Sequence, residues 1–138
     1  FNLKDIKLFA MTNDTYGAGR IGDIESILVS KFNELVESKL NTKSIRTNEF
    51  FHKIKEVKRI AILPGSGTQF IDEIIEDIDI YVTGDISHRY LLKADDARVG
   101  LLQIGHISSE IPGMKRFVNK LNNALSKELE YIYREFYE

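Results

Sequence analysis

Apolar residues recur at helical spacing over residues 23–40, the clearest pattern along the chain. They follow one another at steps of three or four, with two adjacent pairs, and so form one apolar stripe on a helix. The stripe consists of Ile24, Ile27, Leu28, Phe32, Leu35 and Val36. Asp23 follows Gly22 and is a suitable residue to cap the amino end of a helix. The pattern therefore predicts a helix over residues 23–40.

Beyond this segment, short apolar runs alternate with amphipathic stretches, and glycines lie at the joints. The apolar run at residues 60–63 stops at Pro64 and Gly65, which is typical of a buried strand that enters a turn. The same reasoning predicts two further strands, at residues 79–83 and 99–104, and three helices, at residues 68–78, 86–97 and 112–125. Repeated strand, turn and helix units predict an α/β fold with a mostly parallel or mixed sheet flanked by helices.

The last residues of the chain fit two patterns. Leu129, Ile132 and Phe136 follow helical spacing, whereas Leu129, Tyr131 and Tyr133 alternate as in a strand. The tyrosine-rich composition favours the strand.

Composition adds limits to this picture. The 138 residues are 43% hydrophobic, enough for one domain with its own core. The 19 basic and 21 acidic residues give a net charge of −2, so a nucleic-acid or anionic membrane partner is not expected. Cysteine is absent, which excludes disulfides, thiolate metal ligands and a cysteine nucleophile.

The same sequence bears on the compartment and on the domain boundaries. Its longest uncharged stretch, residues 60–71, is too short to cross a membrane, and no basic and apolar leader is visible. The expected compartment is therefore the cytoplasm. Because the sequence starts with Phe1 and not with Met, we expect residues 1–138 to be a single domain and a piece of a longer chain.

Two glycine-rich segments invite a phosphate-binding interpretation. Residues 17–22 match the pattern G-x-G-x-x-G, but polar residues precede them and no acidic residue lies about 20 positions further on, so a structural turn is favoured over a cofactor site. Residues 65–68 join a strand to a helix and lack the lysine of a P-loop. A tight turn is the simpler interpretation there, and a weak anion contact is the alternative.

The strongest chemical signal is the pair His106 and Glu110. Both follow the strand predicted at residues 99–104, at the sheet edge where α/β proteins place ligands. A helix that begins near residue 106 puts the two side chains on one face, with Cβ atoms about 5–6 Å apart. Imidazole and carboxylate together are common ligands of zinc, manganese or iron, although the spacing alone favours a surface capping pair, because this pattern is common by chance.

A second polar cluster, residues 84–89, follows the neighbouring strand. Because loops after adjacent parallel strands converge, Asp85 and His88 are candidates to lie near His106. Asp85 is alternatively the N-cap of the next helix. His52 has no acidic or glycine neighbours and is expected to be a surface residue.

The order of these motifs resembles that of the C-terminal half of the NIF-three-like family, also known as GTP cyclohydrolase I type 2 homologues. The resemblance rests on four segments, at residues 19–22, 64–67, 82–88 and 105–110. It implies an α/β fold, a dinuclear centre of divalent metal ions and a toroidal homohexamer. It also implies that His106 is a terminal metal ligand and that Glu110 bridges the two metals.

The sequence departs from the family pattern in two respects. The family's remaining ligands, a histidine pair and an aspartate, belong to an N-terminal half that these residues do not contain. Where some relatives have a second histidine, this chain has Arg89 after His88, and an arginine there suits an anionic substrate group. Asp85 and His88 are expected to support the site from behind the ligands.

Two functions are consistent with these features. The first is metal-dependent hydrolysis of a nucleotide or another phosphorylated ring compound, in which a metal-activated water is the nucleophile. The alternative is a non-enzymatic interaction or regulatory scaffold with a structural or vestigial metal. Direct nucleic-acid binding is a weaker third option, because the basic residues are dispersed.

Overall fold

The computed structural model describes residues 1–125, so the two patterns noted for residues 129–136 lie outside the described part. The six strands are β1 (Lys4–Met11), β2 (Gly17–Leu28), β3 (Arg46–Thr47), β4 (Glu56–Leu63), β5 (Ile80–Thr83) and β6 (Gly100–Gln103). The three α-helices are α1 (Val29–Leu40), α2 (His88–Asp96) and α3 (His106–Leu125). Two short 3-10 helices span Phe50–Lys53 and Thr68–Glu73.

All six strands form one mixed sheet in the order β1-β2-β4-β5-β6-β3. The central strands β4, β5 and β6 are parallel, as predicted from the repeated strand–helix units. The other pairings, β1 with β2, β2 with β4 and β3 with β6, are antiparallel. The predicted α/β class with a mixed sheet flanked by helices is therefore confirmed.

Both faces of the sheet are covered, and β5 contributes to both. Tyr81 points into the core on the face covered by α2 and the 3-10 helix Thr68–Glu73. Ile80 and Val82 point into the core on the opposite face, against Phe32 and Val36 of α1. Residues on both sides of a strand are buried only when each face is covered, which explains the continuous apolar runs of the central strands.

The prediction of one helix over residues 23–40 was wrong in its first third. Residues up to Leu28 belong to β2, and only Val29–Leu40 is helical. β2 pairs with β1 and β4, and its pairing with β4 shifts register between Asp23 and Ile27. This shift breaks the two-residue alternation of a regular strand and so imitates helical spacing. Asp23 caps no helix, and its carboxylate pairs with Arg59 at 2.5 Å.

The glycines of residues 17–22 do not form the predicted turn but lie inside β2. Gly19 is the cross-strand partner of Phe9, and a Cβ on Gly19 would overlap the Phe9 ring. A Cβ on Gly22 would stand 2.8 Å from the carbonyl oxygen of Lys4. These two glycines therefore let β1 and its aromatic ring approach β2 closely.

The segment predicted as a helix over residues 68–78 is a 3-10 helix, Thr68–Glu73, followed by turns. The apolar residues of this segment pack into the core, since Ile71, Ile74 and Ile78 are all buried. A longer α-helix would have placed several acidic residues at its negative carboxyl end, without a compensating basic residue. That charge arrangement disfavours a regular α-helix here.

The last two helices begin at residues other than those predicted. α2 begins at His88, two residues later than expected, and its buried residues are Leu91 and Ala94. α3 begins at His106 and contains Pro112, which the sequence pattern predicts as its first residue. Among residues 1–125, the helices lack the combination of length and apolar character that a bilayer crossing demands.

A carboxylate at the end of α1 makes the stability of the fold sensitive to acid. Glu37 accepts hydrogen bonds from Lys43 Nζ at 2.8 Å and from the backbone N–H and hydroxyl of Ser44, both at 2.9 Å. These bonds lower the pKa of Glu37 from 4.5 to about 2. When folding lowers the pKa of a carboxylate, its ionised form stabilises the folded protein at pH values above the unfolded-state pKa. This contribution disappears as the pH falls through the folded-state pKa.

We therefore expect Glu37→Gln to destabilise the chain at pH 6 and to lose this effect between about pH 4.5 and pH 2. Urea denaturation of both proteins at a series of pH values measures the difference in unfolding free energy. Glu34→Gln, on the exposed surface of the same helix, serves as the control. A difference that is constant from pH 6 to pH 2 would contradict the prediction.

Candidate metal site

The candidate site lies where three parallel strands end. Gly65 follows β4, Asp85 follows β5 and His106 follows β6. The backbone N–H groups of Gly84 and Asp85 both donate to the carbonyl oxygen of Gly65 at 3.1 Å, which joins the first two turns. Parallel pairing brings the carboxyl ends of β4, β5 and β6 to one edge, and the predicted convergence of these loops is confirmed for Asp85 and His106.

His106 and Glu110 lie on one face of the first turn of α3, as their spacing predicted. The distance between His106 Nε2 and Glu110 Oε1 is 3.4 Å. Each side chain is close to half exposed, 44% for His106 and 48% for Glu110. The pair is therefore held at close range while one side of it stays open to solvent.

Asp85 contacts the other nitrogen of the same imidazole. His106 Nδ1 lies 2.5 Å from Asp85 Oδ2, and Ser66 Oγ donates to the same carboxylate oxygen at 2.9 Å. A carboxylate only accepts hydrogen bonds, so Nδ1 carries the proton in this contact. In the neutral imidazole, Nε2 then presents its lone pair toward Glu110.

The pKa values of His106 and Asp85 reflect this contact. The hydrogen bond to Asp85 raises the pKa of His106, and the negative charges of Asp85 and Glu110 act in the same direction against partial burial. The pKa of Asp85 is lowered, first by the hydrogen bond from His106 and then by the one from Ser66. Asp85 consequently stays ionised and holds the imidazole ring in one orientation.

Gly65 forms the wall of the site opposite Glu110. Its φ of +68° lies in the left-handed region, which favours glycine. A Cβ at this position would stand 2.6 Å from Glu110 Oε1 and 3.4 Å from His106 Nε2. The turn predicted at residues 65–68 is therefore confirmed, and its first glycine leaves open the space that faces both side chains.

Two other predicted residues are not part of this cluster. Among the contacts of residues 1–125, none joins His88 to Asp85, His106 or Glu110, and its side chain is exposed at the start of α2. The Arg89 guanidinium stacks on the Tyr90 ring at 4.5 Å and donates to its hydroxyl at 2.6 Å. Asp85 does not cap α2 either, because its carboxylate is engaged by Ser66 and His106.

The sequence interpretation missed two serines at the site. Ser66 holds Asp85, and Ser109 accepts from the N–H of Gly65 at 2.8 Å while it donates to the carbonyl of His106 at 2.6 Å. Ser66 stands between two glycines and Ser109 in the first turn of the helix, positions at which serine is common in any protein. Only the packing of the three turns identifies their roles.

The part of the chain that the structure describes contains no group of three or more acidic or histidine side chains arranged to hold a metal ion. The atoms that could face a metal ion are therefore His106 Nε2 and the Glu110 carboxylate oxygens. A catalytic metal site uses at least three protein ligands. This chain thus presents part of a ligand set at an open edge of the sheet.

The sequence of this chain matches that of a known family of proteins. The family model described as Duf34/NIF3 (NGG1p interacting factor 3) matches residues 1–137, and the chain belongs to this family.

Two curated relatives show how much of a protein this chain corresponds to. The chain is 33% identical over 127 residues to the GTP cyclohydrolase 1 type 2 homolog of Borreliella burgdorferi. This alignment covers 90% of this chain and 49% of that protein. It is 35% identical over 82 residues to the protein of the same name from Pyrococcus abyssi, which covers 59% of this chain and 32% of the relative. The chain therefore spans half or less of the length of these curated relatives.

A solved structure has the same fold. The crystal structure of TTHA1606 from Thermus thermophilus matches 99% of this chain and 51% of its own, with a TM-score of 0.77 and 17% identity. At this low sequence identity the match shows the fold alone.

Proposed function

We propose that this chain forms one side of a divalent-metal site in which His106 and Glu110 are ligands and Asp85 orients His106. One observation carries the proposal: His106 Nε2 and Glu110 Oε1 are 3.4 Å apart while Asp85 engages the other imidazole nitrogen. Ligand atoms at zinc bond lengths of about 2.0–2.1 Å in a tetrahedron are about 3.3–3.4 Å apart. The donor types and their separation therefore fit a metal ion.

Electrostatics supports the same assignment. With the proton on Nδ1, the lone pair of Nε2 and the Glu110 carboxylate face each other as two acceptors. Two acceptors at this distance repel each other unless a cation lies between them. A proton or a metal ion satisfies that need, and neutral imidazole with a carboxylate is a common donor set of first-row transition metals.

The surroundings also suit an ion with further ligands. The absent Cβ of Gly65 leaves free space beside both donor atoms, and about half of each side chain faces solvent. The family resemblance suggests that a histidine pair and an aspartate outside this chain complete a dinuclear site in a toroidal homohexamer. The open side of the pair is where such ligands, water or a substrate would approach.

The proposed activity is metal-dependent hydrolysis of a nucleotide or another phosphorylated ring compound, by analogy with relatives named GTP cyclohydrolase 1 type 2 homolog. A bound dication would lower the pKa of a coordinated water toward about 7 and polarise the bond to be cleaved. In this chain, Asp85 holds the imidazole so that Nε2 points at the ion, and Glu110 supplies negative charge from the same helical turn.

The metal content of purified variants tests the site. In the longer protein that supplies the remaining ligands, we expect His106→Ala and Glu110→Ala each to lower the metal-to-protein ratio by most of its value, because each removes a ligand. Elemental analysis after purification without chelators measures this ratio. The matched control is His52→Ala, which removes an exposed histidine that contacts Thr47 instead. Unchanged metal content in both site variants would remove the proposal.

The affinity of the chain itself gives a second test. Two protein ligands hold a metal less tightly than a complete set, so we expect residues 1–138 to bind Zn²⁺ or Mn²⁺ weakly. Isothermal titration measures the affinity and the stoichiometry. Tight binding at one ion per chain would contradict the expectation. Nucleotide turnover with the added metal separates the hydrolase from the non-enzymatic scaffold.

A further inference from the structure

Two serine hydroxyls connect the turn at Gly65 to the metal-facing side chains. We propose that Ser66 and Ser109 are positioning residues, which hold His106 and Glu110 at metal-binding separation before an ion arrives. This inference rests on the proposed metal site and assigns a role to two residues that do not themselves face the ion.

Ser66 acts through Asp85. Its hydroxyl donates to Asp85 Oδ2 at 2.9 Å, the same oxygen that engages His106 Nδ1. The Asp85 side chain is 47% exposed. Without the Ser66 hydroxyl, the main contact that limits rotation of this carboxylate would be His106, the residue that Asp85 orients. The Ser66 hydroxyl supplies an anchor on the β4 side of the site, and the orientation of His106 is then set from outside the pair.

Ser109 acts through the backbone. The residue is only 7% exposed, and its Oγ accepts from the N–H of Gly65 at 2.8 Å and donates to the carbonyl of His106 at 2.6 Å. The hydroxyl thus uses its one proton and a lone pair at the same time. A Cβ on Gly84 would stand 2.9 Å from this Oγ, so the turn after β5 also packs against it. Ser109 therefore sets the distance between the Gly65 turn and the start of α3.

These two contacts hold together two donor groups that would otherwise move apart. When His106 is neutral and no cation is bound, the lone pair of Nε2 and the Glu110 carboxylate repel each other, and the half-exposed Glu110 side chain has room to rotate away. Holding donor atoms in place before binding removes the entropic cost of ordering them afterwards. Outer partners of metal ligands typically change metal affinity by about 10–100-fold when they are removed.

The test uses the 138-residue chain and Zn²⁺ as the probe. We expect Ser66→Ala and Ser109→Ala each to weaken Zn²⁺ binding by about 10-fold, the lower end of the range for such partners. Ser66→Thr keeps the hydroxyl at an exposed position and should restore the wild-type affinity. Ser108→Ala, one residue before Ser109, is the control and should bind as the wild type does.

A second readout requires no metal. Long-range ¹H–¹⁵N correlation spectra of the metal-free chain report which nitrogen of His106 is protonated. At a pH above the raised pKa of His106, where the imidazole is neutral, we expect the wild type and Ser66→Thr to show the Nδ1-protonated form, and Ser66→Ala to show a mixture of both neutral forms. A purely structural role for Ser66 would leave this signature unchanged. If Ser109→Ala does not fold, the exposed Ser66 variants still decide the question.

The outcomes separate this inference from the proposed function. Wild-type affinity and a wild-type His106 spectrum in both alanine variants would overturn the positioning role, provided that His106→Ala loses Zn²⁺. Unchanged Zn²⁺ binding in His106→Ala would instead overturn the metal site, and the positioning role with it.

Discussion

Gly65→Ala is expected to weaken metal binding by at least about 10-fold and to leave the fold in place. The added Cβ would enter the space beside both donor atoms, 2.6 Å from Glu110 Oε1. The Glu110 side chain is flexible and half exposed, so it can rotate away from the new methyl group. That rotation separates it from His106 Nε2, and the site loses one of its two ligands.

The same substitution should have only a moderate effect on stability. An L-residue in the left-handed region costs about 1–2 kcal/mol, and Gly65 has a φ of +68°. Zn²⁺ titration and urea denaturation of the same samples separate the two effects. A loss of stability with unchanged Zn²⁺ affinity would show that Gly65 serves the turn alone.

Gly113→Ala is the matched control for this experiment. Gly113 lies within α3, and a Cβ there meets no atom within 4 Å. Alanine in a helix interior is about 0.5–1 kcal/mol more favourable than glycine, so the control should be slightly more stable and bind metal normally.

The second large effect concerns Asn48, a buried polar residue that is 4% exposed. Its amide nitrogen donates to the carbonyl of Val99 at 2.8 Å, and its Oδ1 accepts from the N–H groups of Leu101 at 2.7 Å and Phe51 at 3.3 Å. One side chain thus satisfies three backbone groups and ties the 3-10 helix Phe50–Lys53 to β6. No apolar residue can replace those bonds.

We expect Asn48→Ala to lower the free energy of unfolding by about 3–5 kcal/mol, since each buried group left unpaired costs about 1–3 kcal/mol. Urea denaturation measures this loss. Asn13→Ala is the control, because Asn13 Oδ1 accepts from two N–H groups in an exposed turn, where water can replace it. We expect the control to lose less than about 1 kcal/mol. Equal losses in the two variants would contradict the role assigned to Asn48.

The central part of the fold could be predicted because its signals are local. The run at residues 60–63 is apolar on both sides of the strand and ends at Pro64 and Gly65, and the structure places it in β4. The segment at residues 23–28 was mistaken for helix because its apolar spacing fits both states. The segment is a strand because it pairs with β1 and β4, and no residue within it identifies those two partners.

The candidate site divides in a similar way. The sequence indicated His106 and Glu110, because a spacing of four on one helix is a local property, and the fold then brought Asp85 to His106 across two parallel strands. The sequence did not indicate that the Arg89 guanidinium stacks on the neighbouring Tyr90 ring, a contact that competes with the binding of an anion. Ser66 and Ser109 gained their roles only from the approach of separate turns.

The α/β class, the parallel centre of the sheet and the imidazole–carboxylate pair on α3 follow from local patterns in the sequence. Three features became visible only in the folded chain: the strand in place of the first third of the first predicted helix, the close packing of Gly19 on Phe9, and the hydrogen bonds of Ser66 and Ser109 around the site. The reason is physical: periodicity and spacing act within one segment. Strand pairing and hydrogen bonds between turns depend on segments that meet only when the chain folds.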